Sequence, residues 1–245
     1  MNRPPVVSAE QWQVARDALL VKEKALTREL DALAAERRRL PMVQIDAGYV
    51  FDGPDGKVTL PDLFDGRSQL VIYHFMFGPD AEAPCPGCTN YTDGVPDHLE
   101  RLHAGGITYV NVSRAPLARI EAMRADRGWT MPWFSSAEST FNEDLGLLPG
   151  GHDMFALSAW LRDGDDVFRT YFLQHGPMVQ SIGSIWSMWS LTPYGGQSED
   201  EDAPEDWPRA PQSFWFRRHD EFDELPPSAC DNGNVANQDD SSGQT

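Results

Sequence analysis

The sequence predicts an α/β fold in which helices flank a central mixed sheet, and three observations predict it. Residues 69–77 and 107–112 are apolar on both faces, as the buried strands of a parallel sheet are. Each of these runs is followed by a stretch that can be helical. Residues 154–161 and 167–172 flank a turn, which predicts an antiparallel hairpin and therefore makes the sheet mixed.

The chain begins with a pattern that is typical of one long helix, at residues 8–39. Ser8 followed by Gln11 is a capping-box sequence, and apolar residues recur at helical spacing after it. Arginines occupy the last turn, where cations interact favourably with the helix dipole, and Pro41 follows as a stop. At 1.5 Å per residue this helix is about 48 Å long, which exceeds most small domains. We therefore expect it to contact a second subunit in a homodimer.

The other predicted elements follow in chain order. Residues 49–51 and 57–60 flank a glycine-containing turn and predict a short β-hairpin. The first central strand precedes a helix at residues 95–104, and the second precedes a helix at residues 117–127. Strand, helix, strand, helix and β-hairpin is the thioredoxin order of elements. The sequence therefore predicts a thioredoxin-like fold.

We divide the chain into a helical arm at residues 1–40, a thioredoxin-like domain at residues 41–225 and a disordered acidic tail at residues 226–245. The end of the domain is rich in Pro, Gly and Trp, which predicts an irregular extension packed on the domain. Its tryptophans are Trp186, Trp189, Trp207 and Trp215. Thirteen acidic residues and three arginines lie from Gln197 onward. The net charge of -18 argues against a nucleic-acid partner, which would need clustered cations.

The distribution of apolar residues bears on location. The first residues do not form an apolar signal core, and no run approaches the roughly 18 apolar residues that a membrane span needs. We expect a cytoplasmic protein with no membrane contact. Because the cytoplasm keeps thiols reduced, two nearby cysteines there are more often catalytic or metal-binding than a structural disulfide.

The segment Cys85-Pro86-Gly87-Cys88 follows the first central strand and precedes a stretch that can begin a helix. Two thiols with this spacing at a strand-to-helix junction indicate a redox pair. The helix N-terminus favours a thiolate at Cys85, which is the predicted nucleophile. Cys88, one turn further along, is the predicted resolving thiol.

Seven motifs, taken together, resemble those of a known protein family, and the resemblance extends from the N-terminal helix to about residue 222. They are Cys85-Pro86-Gly87-Cys88-Thr89, Val112-Ser113-Arg114-Ala115-Pro116-Leu117, Gly128-Trp129 with Pro132-Trp133, Phe141-Asn142, Leu161-Arg162-Asp163-Gly164-Asp165, Leu191-Thr192-Pro193 and Arg217-Arg218-His219-Asp220-Glu221-Phe222. Together they resemble a bacterial thioredoxin-like family, domain of unknown function family 899, described as predicted dithiol-disulfide oxidoreductases. The resemblance implies a thioredoxin-like fold and thiol redox activity, and it names no substrate. Residues 63–75 are similar to the segment before the cysteines of peroxiredoxins, which makes the expected fold a peroxiredoxin-like variant.

Four further residues are candidates for the site. Arg114 follows the second central strand, where α/β sites form, so it is placed to hold a thiolate or an anionic substrate; a surface pair with an Asp is the alternative. Trp129 and Trp133 are candidates for a pocket wall, or else belong to the core. Related proteins place a cis-proline immediately before the strand that faces the dithiol. Here Pro149 lies five residues before residue 154. Either a longer loop still returns a residue to the cysteines, or the edge at which an ordinary thioredoxin binds its substrate is missing.

Metal binding is the alternative interpretation of the cysteine pair. The spacing C-x-x-C-x9-H-x4-H resembles a zinc ligand set with His98 and His103, although residues five apart do not share a helix face. A copper site would add His74, His152 or His175 to the two cysteines. For His74, within an apolar strand, a buried histidine bonded to backbone is the alternative. Cys230, in the predicted tail, is taken as incidental.

These observations favour thiol-disulfide exchange with Cys85 and Cys88 and without a bound cofactor. The expected partners are a disulfide or peroxide substrate and a cellular thiol reductant. A thiol peroxidase that uses the same cysteines is the first alternative. A metal-binding or non-catalytic interaction protein on the same fold is the second.

Overall fold

The structure, a computed structural model, describes residues 6–174 with the exception of Gly94 and Asp97. The predicted tryptophan-rich extension and acidic tail lie outside the described residues, as do His175 and Cys230. The parts of the predicted domain division that fall there stay predictions.

Strands within the described residues form one mixed sheet. The strands are β1 (Val43–Ile45), β2 (Val50–Gly53), β3 (Gly56–Thr59), β4 (Gln69–Phe75), β5 (Ile107–Ser113), β6 (Trp133–Ser135), β7 (Ala156–Asp163) and β8 (Asp166–Leu173). They lie side by side in the order β1-β8-β7-β4-β5-β6-β2-β3. The predicted hairpins are confirmed as β2–β3 and β7–β8. The short strands β1 and β6 were not predicted, because three residues carry too little periodicity to be recognised.

The centre of the sheet has thioredoxin-like topology. Strand β4 is parallel to β5 and antiparallel to β7, and β7 continues into the antiparallel strand β8. The predicted mixed sheet and thioredoxin-like fold are therefore confirmed. Strand β6 extends the parallel side and joins the β2–β3 hairpin to the core.

Helices connect and flank these strands. They are α1 (Ala9–Arg38), α2 (Pro86–Asp93), α3 (Glu100–Ala104), α4 (Leu117–Arg127) and α5 (Phe141–Asp144), with short 3-10 helices at Pro61–Phe64 and Pro149–Gly151. The predicted bounds of α4 are confirmed. The helix predicted at 95–104 is wrong over its first half, because Val95 closes a turn onto Thr92 and Pro96, which lacks an N–H, cannot continue a helix.

Helix α1 confirms the predicted long helix. Ser8 and Gln11 form both hydrogen bonds of the capping box. The buried residues of this helix, Ala34, Ala35 and Arg38, lie at its C-terminal end. Its apolar side chains further back are largely exposed: Trp12, Leu19, Leu26, Leu30 and Leu33. None of the helices in the described ranges is both long and apolar enough to span a membrane.

The sheet separates two hydrophobic layers. In β4, Val71, Tyr73 and Phe75 face the layer that contains Cys88, together with side chains from α3 and α4. Leu70 and Ile72 face the opposite layer, which includes Phe51, Phe64, Phe141 and Trp160. Strand residues alternate between the two faces of the sheet. The position of a polar residue in β4 or β5 therefore determines whether its side chain lies in the layer that contains Cys88.

Candidate dithiol site

Cys85 lies at the boundary between the loop that follows β4 and helix α2. Its N–H donates to the carbonyl oxygen of Met76 at 3.1 Å, which brings the end of the loop back to the end of the strand. Its carbonyl oxygen accepts the N–H of Thr89 at 3.0 Å and the Thr89 hydroxyl at 3.1 Å. Cys85 thus closes the first turn of α2, at the strand-to-helix junction where the sequence predicts it.

The two cysteines are free thiols with different exposure. Cys85 is half-buried, whereas Cys88 is 1 % exposed and belongs to the hydrophobic layer. The two thiols interact, and Cys85 raises the pKa of Cys88. A molecule that approaches from solvent therefore meets Cys85 first.

The sulfur of Cys88 has two further partners. The hydroxyl of Tyr73 and the backbone N–H of Met76 both interact with it. Burial raises the pKa of Cys88 to about 11, because a thiolate there would lose its hydration. The two donors act in the opposite direction and lower this pKa. Cys88 is therefore protonated at neutral pH and carries groups that can stabilise its thiolate.

Tyr73 belongs to a cluster of three tyrosines beneath the cysteines. Its ring stacks on Tyr91 with centroids 4.2 Å apart. Tyr109 lies close by and donates its hydroxyl to Oδ1 of Asn111 at 2.8 Å. Burial raises the pKa of each of these tyrosines well above its ordinary value. All three hydroxyls therefore stay protonated over the accessible pH range.

Trp129 and Trp133 lie in the same layer as Cys88. Their rings are parallel, with an interplanar angle of 9° and centroids 5.5 Å apart, and Phe75 packs edge-on against both. Both tryptophans are buried. Trp133 is next to Asn111 in register, and Asn111 is next to Tyr73. The tryptophans thus form the core beside the site, and a role as pocket wall stays a prediction.

Arg114 and Asp153 lie at the same end of the sheet. Arg114 Nη1 donates to Asp153 Oδ1 at 3.1 Å. The Asp153 carboxylate also lies so close to Gly78 that a Cβ there would be 2.4 Å from Oδ2. The loops after β4 and β5 and the loop before β7 therefore meet at this ion pair. The predicted role of Arg114 at a thiolate or anionic substrate stays a prediction.

Arg119 of α4 holds the loop that leads to Cys85. Its guanidinium donates to the carbonyl oxygens of Pro79, at 2.7 Å, and of Ala81. It also lies over the ring of Phe77, 4.5 Å from the centroid. Both helix α4 and strand β4 thereby determine where Cys85 lies.

Pro149 is part of an exposed 3-10 helix and not of the strand that faces the dithiol. The peptide bonds of the described residues include no cis bond. The residue immediately before β7 is Phe155, which packs against the layer that contains the cysteines. The longer loop thus does return a side chain to that layer, and this side chain is a phenylalanine.

Comparison with known proteins gives the chain a family. The family described as "Bacterial protein of unknown function (DUF899)" matches residues 1–222. The chain belongs to this family. No curated protein matches the DUF899 chain significantly in sequence.

Solved structures similar to this DUF899 protein include two peroxiredoxins and a disulfide oxidoreductase. Peroxiredoxin Q of Xanthomonas campestris is 16 % identical, with a TM-score of 0.42, 59 % of this chain covered and 94 % of that chain. Peroxidoxin BcpB of Mycobacterium tuberculosis is 19 % identical, with a TM-score of 0.39 and coverages of 54 % and 89 %. A secreted Mycobacterium tuberculosis disulfide oxidoreductase homologous to E. coli DsbE is 12 % identical, with a TM-score of 0.36 and coverages of 58 % and 87 %.

His74 lies on the opposite face of the sheet from the cysteines of this DUF899 protein. Its Nε2 is 2.8 Å from the hydroxyl of Ser158, and its ring stacks on Phe141. The alternative of a buried histidine is correct, with a serine hydroxyl as partner in place of backbone. Burial lowers the pKa of His74 to about 3. The copper set that joins His74 to Cys85 and Cys88 is therefore wrong, since the sheet separates its members.

The other histidines do not complete a metal site in the part of the chain that the structure describes. His152 lies on an exposed loop, and His98 is exposed next to Glu100. In residues 6–174, apart from Gly94 and Asp97, no three His, Cys, Asp or Glu side chains come together in a way that could hold a metal ion.

Tyr73 was missed at the sequence level. The sequence singles out His74 as the polar residue of this strand, whereas its neighbour Tyr73 is the one that shares a layer with Cys88. The alternation of strand residues puts Tyr73 and His74 on opposite faces, but which face carries α2 depends on the path of the chain after β4. No local signal could have found Met76, because its contribution is a backbone N–H.

Proposed function

We propose that this DUF899 protein is a thiol-disulfide oxidoreductase with Cys85 as nucleophile and Cys88 as resolving thiol. The observation that carries the proposal is the pairing of a half-buried Cys85 at the start of α2 with a buried Cys88 in contact with it. Nucleophilic attack needs a thiol that substrate can reach, and resolution needs a second thiol that substrate cannot occupy first. The DUF899 pair has this asymmetry.

The reaction proceeds in two exchanges. The Cys85 thiolate attacks one sulfur of a substrate disulfide, forms a mixed disulfide and releases the first substrate thiol. Cys88 then attacks the Cys85 sulfur, the Cys85–Cys88 disulfide forms, and the second substrate thiol leaves with the proton that Cys88 loses. The substrate gains two electrons and two protons, and the protein loses them. A cellular thiol reductant returns the dithiol by the reverse sequence.

A thiol peroxidase is the second candidate, and the proximity of the two thiols favours it equally. The Cys85 thiolate would attack the peroxide O–O bond, which yields a sulfenic acid and releases an alcohol or water. Condensation of that sulfenic acid with the Cys88 thiol would form the same disulfide and release water.

The experiment follows the fate of each thiol. We expect the protein to reduce insulin disulfides with dithiothreitol as reductant, Cys85→Ser to abolish this activity and Cys88→Ser to accumulate a mixed disulfide. Cys230→Ser, which removes the third cysteine of the sequence, serves as control and should leave the rate unchanged. Peroxide consumption measured on the same variants separates the two candidates. Equal insulin reduction with and without Cys85 would show that the proposed function is wrong.

A further inference from the structure

Strands β5 and β6 each end at a buried serine, and the two serines make the same local bond. Ser113 is the last residue of β5 and Ser135 the last of β6, and they are neighbours in register. Both are fully buried. Each hydroxyl oxygen accepts the N–H of the residue two positions further along, Ala115 at 3.5 Å and Ala137 at 3.2 Å. Such a bond to the backbone two residues on stabilises a turn, so both chains turn in the same way after the strand.

The two serines differ in the carbonyl to which each hydroxyl donates. The hydroxyl of Ser135 donates to the carbonyl oxygen of Ala115 at 2.7 Å, in the turn after β5. The hydroxyl of Ser113 donates to the carbonyl oxygen of Phe77 at 2.9 Å, in the loop after β4. A serine at the end of one strand therefore holds the segment that leaves the neighbouring strand. Of the two, Ser113 holds the segment that leads to Cys85.

The carbonyl of Phe77 is next in the chain to the carbonyl that holds Cys85. The Met76 oxygen accepts the Cys85 N–H at 3.1 Å, so the loop at residues 77–84 closes on the residue from which it starts. Consecutive peptide planes are joined only by the φ and ψ angles of the residue between them. A bond that fixes the Phe77 carbonyl therefore also limits the direction of the Met76 carbonyl.

The place of Ser113 in its strand puts its hydroxyl on the face of the sheet that carries the dithiol. Side chains of β5 alternate between the two layers, and those of Ile107 and Tyr109 lie in the layer that contains Cys88. Ser113 has the same parity and is next to Phe75, the last residue of β4, in register. Its hydroxyl therefore meets the chain as it leaves β4, on the side of the sheet to which α2 returns.

We propose that Ser113 is a positioning residue of the dithiol site, whose hydroxyl holds the Phe77 carbonyl and thereby the Met76 carbonyl that places Cys85 at the start of α2. The inference rests on the proposed function for the role of Cys85 as nucleophile. A nucleophile reacts fast only when it is held in a productive orientation. Ser113 contributes to that orientation through the backbone of the loop, without contact to substrate.

Ser135 provides a matched control. Ser113→Ala and Ser135→Ala each remove one buried hydroxyl, its bond to a carbonyl and its bond from an N–H two residues on. The two variants differ in which loop loses its contact. Ser113→Thr keeps the hydroxyl on a β-branched side chain, which strands favour, and serves as the rescue variant.

The first measurement is hydrogen exchange of the Cys85 N–H by NMR, which reads its bond to Met76 directly. A typical hydrogen bond corresponds to about fivefold in an equilibrium. We expect Ser113→Ala to speed this exchange about fivefold, and Ser135→Ala and Ser113→Thr to leave it unchanged. The Ser136 N–H, bonded to the Ser113 carbonyl at 2.8 Å, shows whether the end of β5 itself loosens and should not change in Ser113→Ala.

Two results of this measurement would overturn the proposal. One is equal exchange of the Cys85 N–H with and without Ser113→Ala. The other is equal acceleration of the Cys85 and Ser136 N–H groups, which would mean a merely structural role for the hydroxyl. Because hydrogen exchange needs no substrate, it tests Ser113 even if the protein has no exchange activity.

The second measurement connects the loop to the reaction, with an aromatic disulfide that releases one coloured thiol when Cys85 attacks. We expect Ser113→Ala to slow this release about fivefold, and Ser135→Ala and Ser113→Thr to leave it unchanged. An unchanged release in Ser113→Ala, or equal slowing in both alanine variants, would contradict the role of Ser113. Absence of release from the unsubstituted protein would instead contradict the proposed function.

Ser113→Cys keeps the inference testable if Ser113→Ala does not fold. A thiol takes the place of the hydroxyl but is only a weak hydrogen-bond donor. We expect the Cys85 N–H to exchange faster in Ser113→Cys than in the unsubstituted protein, and at the unsubstituted rate in Ser135→Cys. Equal rates in the two cysteine variants would show that the Ser113 hydroxyl does not position Cys85.

Discussion

Arg114 and Asp153 form an ion pair in which Nη1 and Oδ1 are 3.1 Å apart and both side chains are mostly buried. The pair connects the turn after β5 to the loop before β7, beside Gly78 of the loop that leads to Cys85. Three loops at the carboxyl end of the central strands thus meet at one contact. This end of the sheet is also the end that carries the dithiol.

The contribution of this ion pair can be measured with a double-mutant cycle. We expect Arg114→Gln and Asp153→Asn each to lower the free energy of unfolding, and the double variant to lose about 1 kcal/mol less than the sum of the two. Urea unfolding of the four proteins measures the coupling. Losses that add without a difference would mean that the pair contributes nothing to stability.

Arg119 is expected to control access to the cysteines. Arg119→Met keeps an apolar stem over Phe77 and removes the donors to Pro79 and Ala81, so the loop at residues 77–84 should open more often. We expect faster hydrogen exchange in this loop and several-fold faster alkylation of Cys88. Arg127→Met, also on α4 but over the ring of Trp129, is the control and should change neither. Identical exchange in the two variants would contradict this role of Arg119.

His74 should make the fold sensitive to acid. Its pKa is lowered from 6.5 to about 3 in the folded state, so the unfolded chain binds a proton between these values and the folded chain does not. The stability associated with neutral His74 is complete above pH 6.5 and is lost as the pH falls toward 3. Between pH 7 and pH 5 this loss amounts to about 2 kcal/mol.

His74→Phe tests this dependence. The phenylalanine would remain stacked near Phe141 and Phe172, and Ser158 would keep its bond from Trp160. We expect the free energy of unfolding, measured with urea at pH 7 and pH 5, to fall by about 2 kcal/mol less in the variant than in the unsubstituted protein. Equal falls in the two proteins would show that His74 does not carry the dependence.

The exposed face of α1 leads us to propose a homodimer through this helix. Trp12, Leu19, Leu26 and Leu33 are seven residues apart and 58, 50, 56 and 40 % exposed, a pattern that stabilises a helix when a second helix covers it. We expect a dimer by sedimentation, and a monomer after Leu19→Asp with Leu26→Asp. Lys24→Asp, on the other side of the helix, is the control and should remain a dimer. A monomer at every concentration of the unsubstituted protein would refute the proposal.

Elements with long periodic patterns were predictable from the sequence. Helix α1, strands β4 and β5, helix α4 and the β7–β8 hairpin follow from spacing, caps and turn residues that act over a few positions. The same local signals predict the cysteines at a strand-to-helix junction. The short strands β1 and β6 were not predictable, because each is stabilised by its neighbour in the sheet and not by its own three residues.

The sequence by itself determined the fold class, the position of Cys85 and Cys88 and their order along the helix, since these depend on contacts between near neighbours in the chain. Only the tertiary structure decided which side of β4 meets the cysteines. That choice depends on how the loop after β4 returns α2 to the sheet, with Arg119 of α4 fixing its path. It places Tyr73 in the layer that contains Cys88 and His74 on the far side, a difference that two adjacent residues of one apolar strand do not reveal.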